Sequence, residues 1–245
     1  CLPVHLCAIN EWWWDLNDDA RYLASFVLPG DRAVLQTVDA AQKYLQVLRD
    51  DYSAGFDGYQ SFDKQAREPY WAIDAQAQAI WSTLSFETPL HYINPPPTFL
   101  EGTQRLRTPS DVLKGRRGTC IDLALLYAAC LEFVEIYPVI FVLKDHAFPG
   151  YWRSEADWEA YARVSDGVRT KAGWSEFDDV KRFIEQGRLV ALETTLLTSH
   201  SGFQEAIDTA VDPKDGNFTD PSNWGGLLDL KTARARGTTP IPLID

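Results

Sequence analysis

Arg116-Arg117-Gly118-Thr119-Cys120-Ile121-Asp122-Leu123-Ala124-Leu125-Leu126-Tyr127-Ala128-Ala129-Cys130-Leu131-Glu132 reads as a turn running into a helix, with a cysteine on the first helical residue. Gly118 ends the turn and Thr119 is a good N-cap. Asp122, three residues on, completes a short-armed capping box. From Ile121 to Leu131 nearly every residue is apolar, and no polar stripe recurs at helical spacing, so this helix is expected to be enclosed by protein on all sides. A thiol at its mouth feels the positive end of the helix dipole, and Arg116 and Arg117 stand close in sequence; both favour the thiolate. Free cysteine is more often a small buried hydrophobe, which is how Cys130, flanked by Ala129 and Leu131, is read. Residues further along the chain decide whether Cys120 is more than that.

The 245 residues suffice for a sizeable core, and 45% hydrophobic with 13% aromatic content fits a well-packed globular protein. No apolar run reaches the ~18 residues of a membrane span. The net charge of -12, from 23 basic and 35 acidic residues, speaks against a nucleic-acid surface, which needs clustered Lys and Arg. Cys1, Cys7, Cys120 and Cys130 show no CxxC spacing, so neither a zinc site nor a disulfide framework is expected, and the compartment is read as reducing, hence cytoplasmic. The start at Cys1 and the absence of Met are read as a fragment boundary, with any targeting segment lying upstream.

Upstream of the cysteine turn, residues 2–10 alternate like a strand and lead into Trp12-Trp13-Trp14, read as a packing plug rather than a binding platform. Residues 20–27 form a short helix or strand, and Pro29-Gly30-Asp31 precedes an amphipathic helix over 33–48, apolar at Val34, Leu35, Val38, Ala41, Tyr44, Leu45 and Leu48. Residues 51–68 read as a loop, 70–84 as a second helix and 90–93 as a short strand running into the extended Asn94-Pro95-Pro96-Pro97. Thr108 or Ser110 is the expected cap of a short helix before the cysteine turn.

Downstream the period changes. Residues 137–144 are dense in β-branched and aromatic side chains and read as a buried strand, with His146 just past it and extended chain over 147–152. Residues 155–163 and 176–186 read as surface helices, the second capped by Ser175 and closed by Gly187. Residues 189–195 form a second apolar strand that carries Glu193, a helix spans about 203–210, and residues 227–230 are apolar. Helices first and strands later give an α+β fold, with the Cys120 helix packed on an antiparallel β-sheet. Residues 1–94 would form a mainly helical N-terminal part with one strand, packed on a core over 95–245.

The chain order is then a cysteine at a helix N-terminus, a histidine after the next strand and an acid on a later strand. A thiol nucleophile needs a base for its proton, and the imidazole needs an acceptor that fixes its tautomer. Three blocks, Gly118-Thr119-Cys120-Ile121-Asp122-Leu123-Ala124-Leu125-Leu126, Asp145-His146-Ala147-Phe148-Pro149-Gly150-Tyr151-Trp152 and Leu192-Glu193-Thr194-Thr195, resemble the bacterial transglutaminase-like cysteine-protease superfamily. The likeness is to the cysteine-protease-like regions that accompany bacterial helicase-type and defence-associated proteins, with weaker similarity over 24–29, 58–60, 95–99, 104–113 and 228–242. The resemblance implies a papain/transglutaminase-like fold with Cys120 as nucleophile, His146 as general base and acid, and Glu193 where that family usually has Asp. It also suggests Gln104 as an oxyanion-hole donor beside the backbone N–H of Cys120, an exposed loop glutamine being the alternative.

The bland readings apply elsewhere. His5, His91 and His200 are read as surface or core histidines, with His200 the rival base. Asp145, one residue from His146, points to the other face and is a poor orienter. Tyr151, Trp152, Trp158 and Trp174 line a cleft or pack in the core. The expected function is hydrolysis of peptide or isopeptide bonds through a thioester, on a protein or peptide substrate. The alternatives are transamidation or deamidation by the same acyl-enzyme, and a non-catalytic module that binds a fused or co-encoded partner protein. No cofactor, metal, nucleic acid or membrane is expected, and the absence of carboxylates at calcium-loop spacing disfavours calcium activation.

Overall fold

The computed structural model describes residues 8–13, 20–60, 70–95, 102–165 and 177–243, which mix helices and short strands in an α+β arrangement. Most of the strand expected over 2–10 lies outside these residues; Ile9 and Asn10 form a turn into β1 (Glu11–Trp13). A 3-10 turn (Ala20–Phe26) then leads to α1 (Arg32–Leu48), whose N-cap Asp31 accepts the Ala33 N–H at 2.8 Å. Val34, Val38, Ala41 and Leu45 bury one face of α1, whereas Leu35 lies outside that stripe and stays exposed. The largely buried helix α2 (Trp71–Phe86) packs against it, followed by β2 (His91–Tyr92) and β3 (Thr103–Arg105). Helix α3 (Pro109–Gly115) is capped by Thr108 in a capping box with Asp111, so the threonine is the cap that the sequence left open against Ser110.

Strand β4 (Arg117–Gly118) pairs with β2 in parallel, and α4 (Cys120–Phe133) comes next. Every residue of α4 from Ile121 to Leu131 is buried, as its unbroken apolar sequence requires. Then come β5 (Pro138–Leu143), β6 (Ala147–Trp152), α5 (Glu155–Ser165), α6 (Phe177–Glu185), β7 (Leu189–Ala191), a 3-10 turn (Thr194–Ser199), α7 (Phe203–Ala210), β8 (Trp224–Asp229) and α8 (Leu230–Ala235). Ser175 and Trp174 lie outside the described residues. Gly187 closes α6 at φ 67, its N–H donating to Ile184 and that of Arg188 to Phe183. Helix α8 had no recognisable signal in its short, mixed sequence.

The four-stranded sheet runs β7-β6-β5-β8 with antiparallel neighbours. Along β5, Ile140 and Val142 join the core that contains α4, while Val139, Phe141 and Leu143 face a second core under α5 and α6. Antiparallel sheets often wet one face; this one is covered on both, which explains the continuous apolar run read in the sequence. Gly150 on β6 has no room for a side chain, since a Cβ there would meet the Val190 carbonyl oxygen at 2.2 Å and the Phe141 ring at 2.6 Å.

Helix α2 reaches across to the second half of the chain. Trp81 Nε1 and Ser85 Oγ both donate to the Ser201 carbonyl at 3.0 Å, and the buried Tyr127 O–H of α4 donates to Ala77 at 2.8 Å. Asp74 accepts Tyr151 O–H at 2.7 Å and pairs with Arg153 at 3.0 Å. Among the described residues no helix is long and apolar enough to cross a membrane.

Candidate active site

The cysteine turn is fixed by local chemistry. Thr119, with extended backbone, accepts the Asp122 N–H, and Asp122 accepts the Thr119 N–H at 3.0 Å. The fully buried Asp122 carboxylate also takes the backbone N–H and the guanidinium of Arg107, each at 2.8 Å. A buried carboxylate is tolerated only when its lone pairs are filled in this way. Cys120 stands half-buried at the first position of α4, its own N–H without an intrahelical acceptor. Arg116 ends α3 in the left-handed region and Arg117 lies on β4; both are exposed.

His146 emerges from the turn between β5 and β6, where the Leu143 N–H donates to its carbonyl at 2.8 Å. Its ring lies against Phe148, with centroids 5.5 Å apart. Strand β7 runs antiparallel beside β6, so the chain beyond Ala191 returns alongside the end of β6 nearest His146. The strand read over 189–195 is shorter than expected. Leu192 still donates to Pro149, but the Glu193 N–H turns to the Ala206 carbonyl and Glu193 becomes the N-cap of the succeeding 3-10 turn. The acid therefore sits just past the strand rather than on it.

That displacement sets its aim. One carboxylate oxygen of Glu193 accepts the N–H and O–H of Thr195, at 3.0 and 2.6 Å. The other lies 2.7 Å from His146 Nε2. The longer arm of Glu thus reaches the imidazole while its second oxygen is held in place. With Nε2 engaged by the acid, Nδ1 is the ring nitrogen left for the thiol. Burial works against a charged ring at His146, but hydrogen-bonding and charge interactions with Cys120 and Glu193 outweigh it and raise the imidazole to about 10. Burial pushes the Glu193 carboxyl up, and the His146 and Thr195 contacts more than reverse this, leaving it below its ordinary value.

Of the residues singled out from sequence, Cys120, His146 and Glu193 come together. Gln104 is on β3, opposite Trp12 of β1. Asp145 is exposed, and His91 is exposed on β2. His200 bonds the Ser85 carbonyl through its ring and takes no part in the cluster. His5 and Trp14 lie outside the described residues, Trp12 is buried, and Trp13 is 45% exposed. Tyr151 and Trp152 are fully buried core residues, so neither lines an open cleft, and Trp158 donates its indole N–H to Asp229 at 3.1 Å. Cys130 is fully buried, and burial pushes its thiol far up.

One residue at the site was not singled out from the sequence. Tyr92 lies opposite Gly118 in the β2–β4 pairing, and its phenol interacts with the Cys120 side chain. Its strand falls within the short strand read over 90–93, but two residues carry no pattern that would assign Tyr92 a role. Among the described residues no group of three or more His, Cys, Asp and Glu side chains is placed to hold a metal ion. No family model, curated protein or solved structure matches the chain.

Proposed function

We propose that this chain is a cysteine-dependent hydrolase of peptide or isopeptide bonds, built on a papain/transglutaminase-like plan and working on a protein or peptide substrate in the cytoplasm. The observation that carries the reading is the 2.7 Å contact of His146 with Glu193 on a ring that also engages Cys120 at the start of a buried helix. A helix packed on an antiparallel sheet, with the histidine and the acid at neighbouring strand ends, supports the same plan.

Sulfur attacks the amide carbonyl carbon and the C=O π electrons move to oxygen. His146, which holds its proton at neutral pH, gives it to the amine nitrogen as the C–N bond breaks. Water then attacks the thioester, His146 takes the water proton, and the acid product leaves as the C–S bond breaks. Glu193 keeps the ring oriented and offsets its charge throughout. Half-buried Cys120 is the residue expected to react with iodoacetamide, mapped by peptide mass spectrometry. His146→Ala is expected to slow that labelling, and Cys120→Ala to abolish turnover of a labelled peptide library. Labelling of Cys130 or Cys1 that spares Cys120 would overturn the reading.

A further inference from the structure

His146 and Glu193 account for the protons of acyl transfer but place no donor at the oxygen that becomes negative when sulfur attacks. Such an oxygen needs hydrogen-bond donors fixed in advance. The Cys120 backbone N–H, unused inside the helix, is one.

Tyr92 stands where a second is required. The parallel ladder fixes its backbone against the cysteine turn: His91 N–H donates to Arg116 at 2.9 Å and Ile93 N–H to Gly118 at 3.1 Å, with Tyr92 in register with Gly118. Its side chain is 46% exposed and lies near enough to Cys120 for the phenol and the thiol to interact. Burial, then the charges of Cys120, Glu193 and Asp122, raise the phenol above its ordinary value, so at neutral pH it keeps a hydrogen to donate.

We propose that the Tyr92 O–H is the side-chain donor of the oxyanion pocket, resting on the Cys120 sulfur in the free protein and passing to the substrate oxygen as the tetrahedral intermediate forms. No proton changes hands at Tyr92; a hydrogen bond moves from sulfur to oxygen. The proposal rests on the thiol-hydrolase reading above and gives the donor role to Tyr92 instead of Gln104.

Two probes separate the roles, because alkylation of sulfur by iodoacetamide creates no oxyanion whereas acylation by p-nitrophenyl acetate does. For Tyr92→Phe, the p-nitrophenolate burst is expected to slow roughly 100-fold, the usual loss on removing one oxyanion donor, while the alkylation rate of Cys120 stays within about threefold of wild type. Gln104→Ala is expected to leave both rates near wild type. Equal losses of both rates in Tyr92→Phe, an unchanged burst, or a selective loss in Gln104→Ala alone would each overturn the proposal. A wild-type protein whose Cys120 neither alkylates nor acylates would instead overturn the parent reading, and the proposal with it. Thermal melting of Tyr92→Phe, the loss of a single hydroxyl, identifies any loss that comes from unfolding.

Discussion

Arg107 places both its backbone N–H and its guanidinium on the buried Asp122 carboxylate, each at 2.8 Å, and that same carboxylate caps the helix that begins at Cys120. The segment leading out of β3 and the nucleophile turn are thereby locked to one side chain. Asp122→Ala removes a cap and leaves its donors unmatched, which is expected to cost about 2–4 kcal/mol by denaturant unfolding and to slow iodoacetamide labelling of Cys120. The exposed capping residue Asp111 of α3 is the control, with about 1 kcal/mol expected for Asp111→Ala and no change in labelling.

The His146–Glu193 pair makes stability depend on pH in a defined direction. His146 is raised to about 10, so its contribution is complete below its ordinary 6.5 and is lost as pH climbs through 10. Glu193 is lowered, so its contribution is complete above its ordinary 4.5 and is lost as pH falls through its depressed native value. Melting temperatures of wild type and Glu193→Gln are therefore expected to differ most between pH 4.5 and 6.5. A gap that widens from neutral pH towards 10 would contradict the pairing.

Gly150 tolerates no side chain, because the Val190 carbonyl and the Phe141 ring occupy the space from both neighbouring strands. Gly150→Ala is expected to destabilise by about 3 kcal/mol or more, lowering the melting temperature by roughly 6–12 °C for a chain of this size.

The two described thiols are expected to behave oppositely. Cys130 is fully buried among apolar neighbours and its thiol is pushed up by burial, so in the native protein it should react with Ellman's reagent at least ~100-fold more slowly than Cys120. Unfolding in guanidinium should abolish the difference. Fast native labelling at Cys130 would mean that α4 opens readily.

Much of this was legible in the residues themselves. The capping box at Thr119 and Asp122 and the enclosed helix behind it are local patterns, set by short-range hydrogen bonding and by an apolar run without a polar face. Cys120, His146 and Glu193 were readable because each lies at the edge of an element with a strong signal of its own. The exact station of Glu193 was not, because its departure from β7 depends on the Ala206 carbonyl of α7, a partner no nearby residue announces. The short strand that holds Tyr92 was legible, but its station beside the cysteine turn was not, being set by pairing with Gly118 across a long stretch of chain. The fate of Trp152 as a core residue depends on α5 and α6 covering one face of the sheet, and that of Tyr151 on α4 and α2 covering the other, which their own sequence does not encode.

The bonds that α2 sends across the molecule make the front and rear of this polypeptide poor candidates for separation. A version trimmed to begin at residue 95 would deprive the Ser201 carbonyl of two donors, Tyr127 of its acceptor and Arg153 of its carboxylate, all at once. Shortened forms made for expression or crystallisation need to retain Trp71 and everything after it.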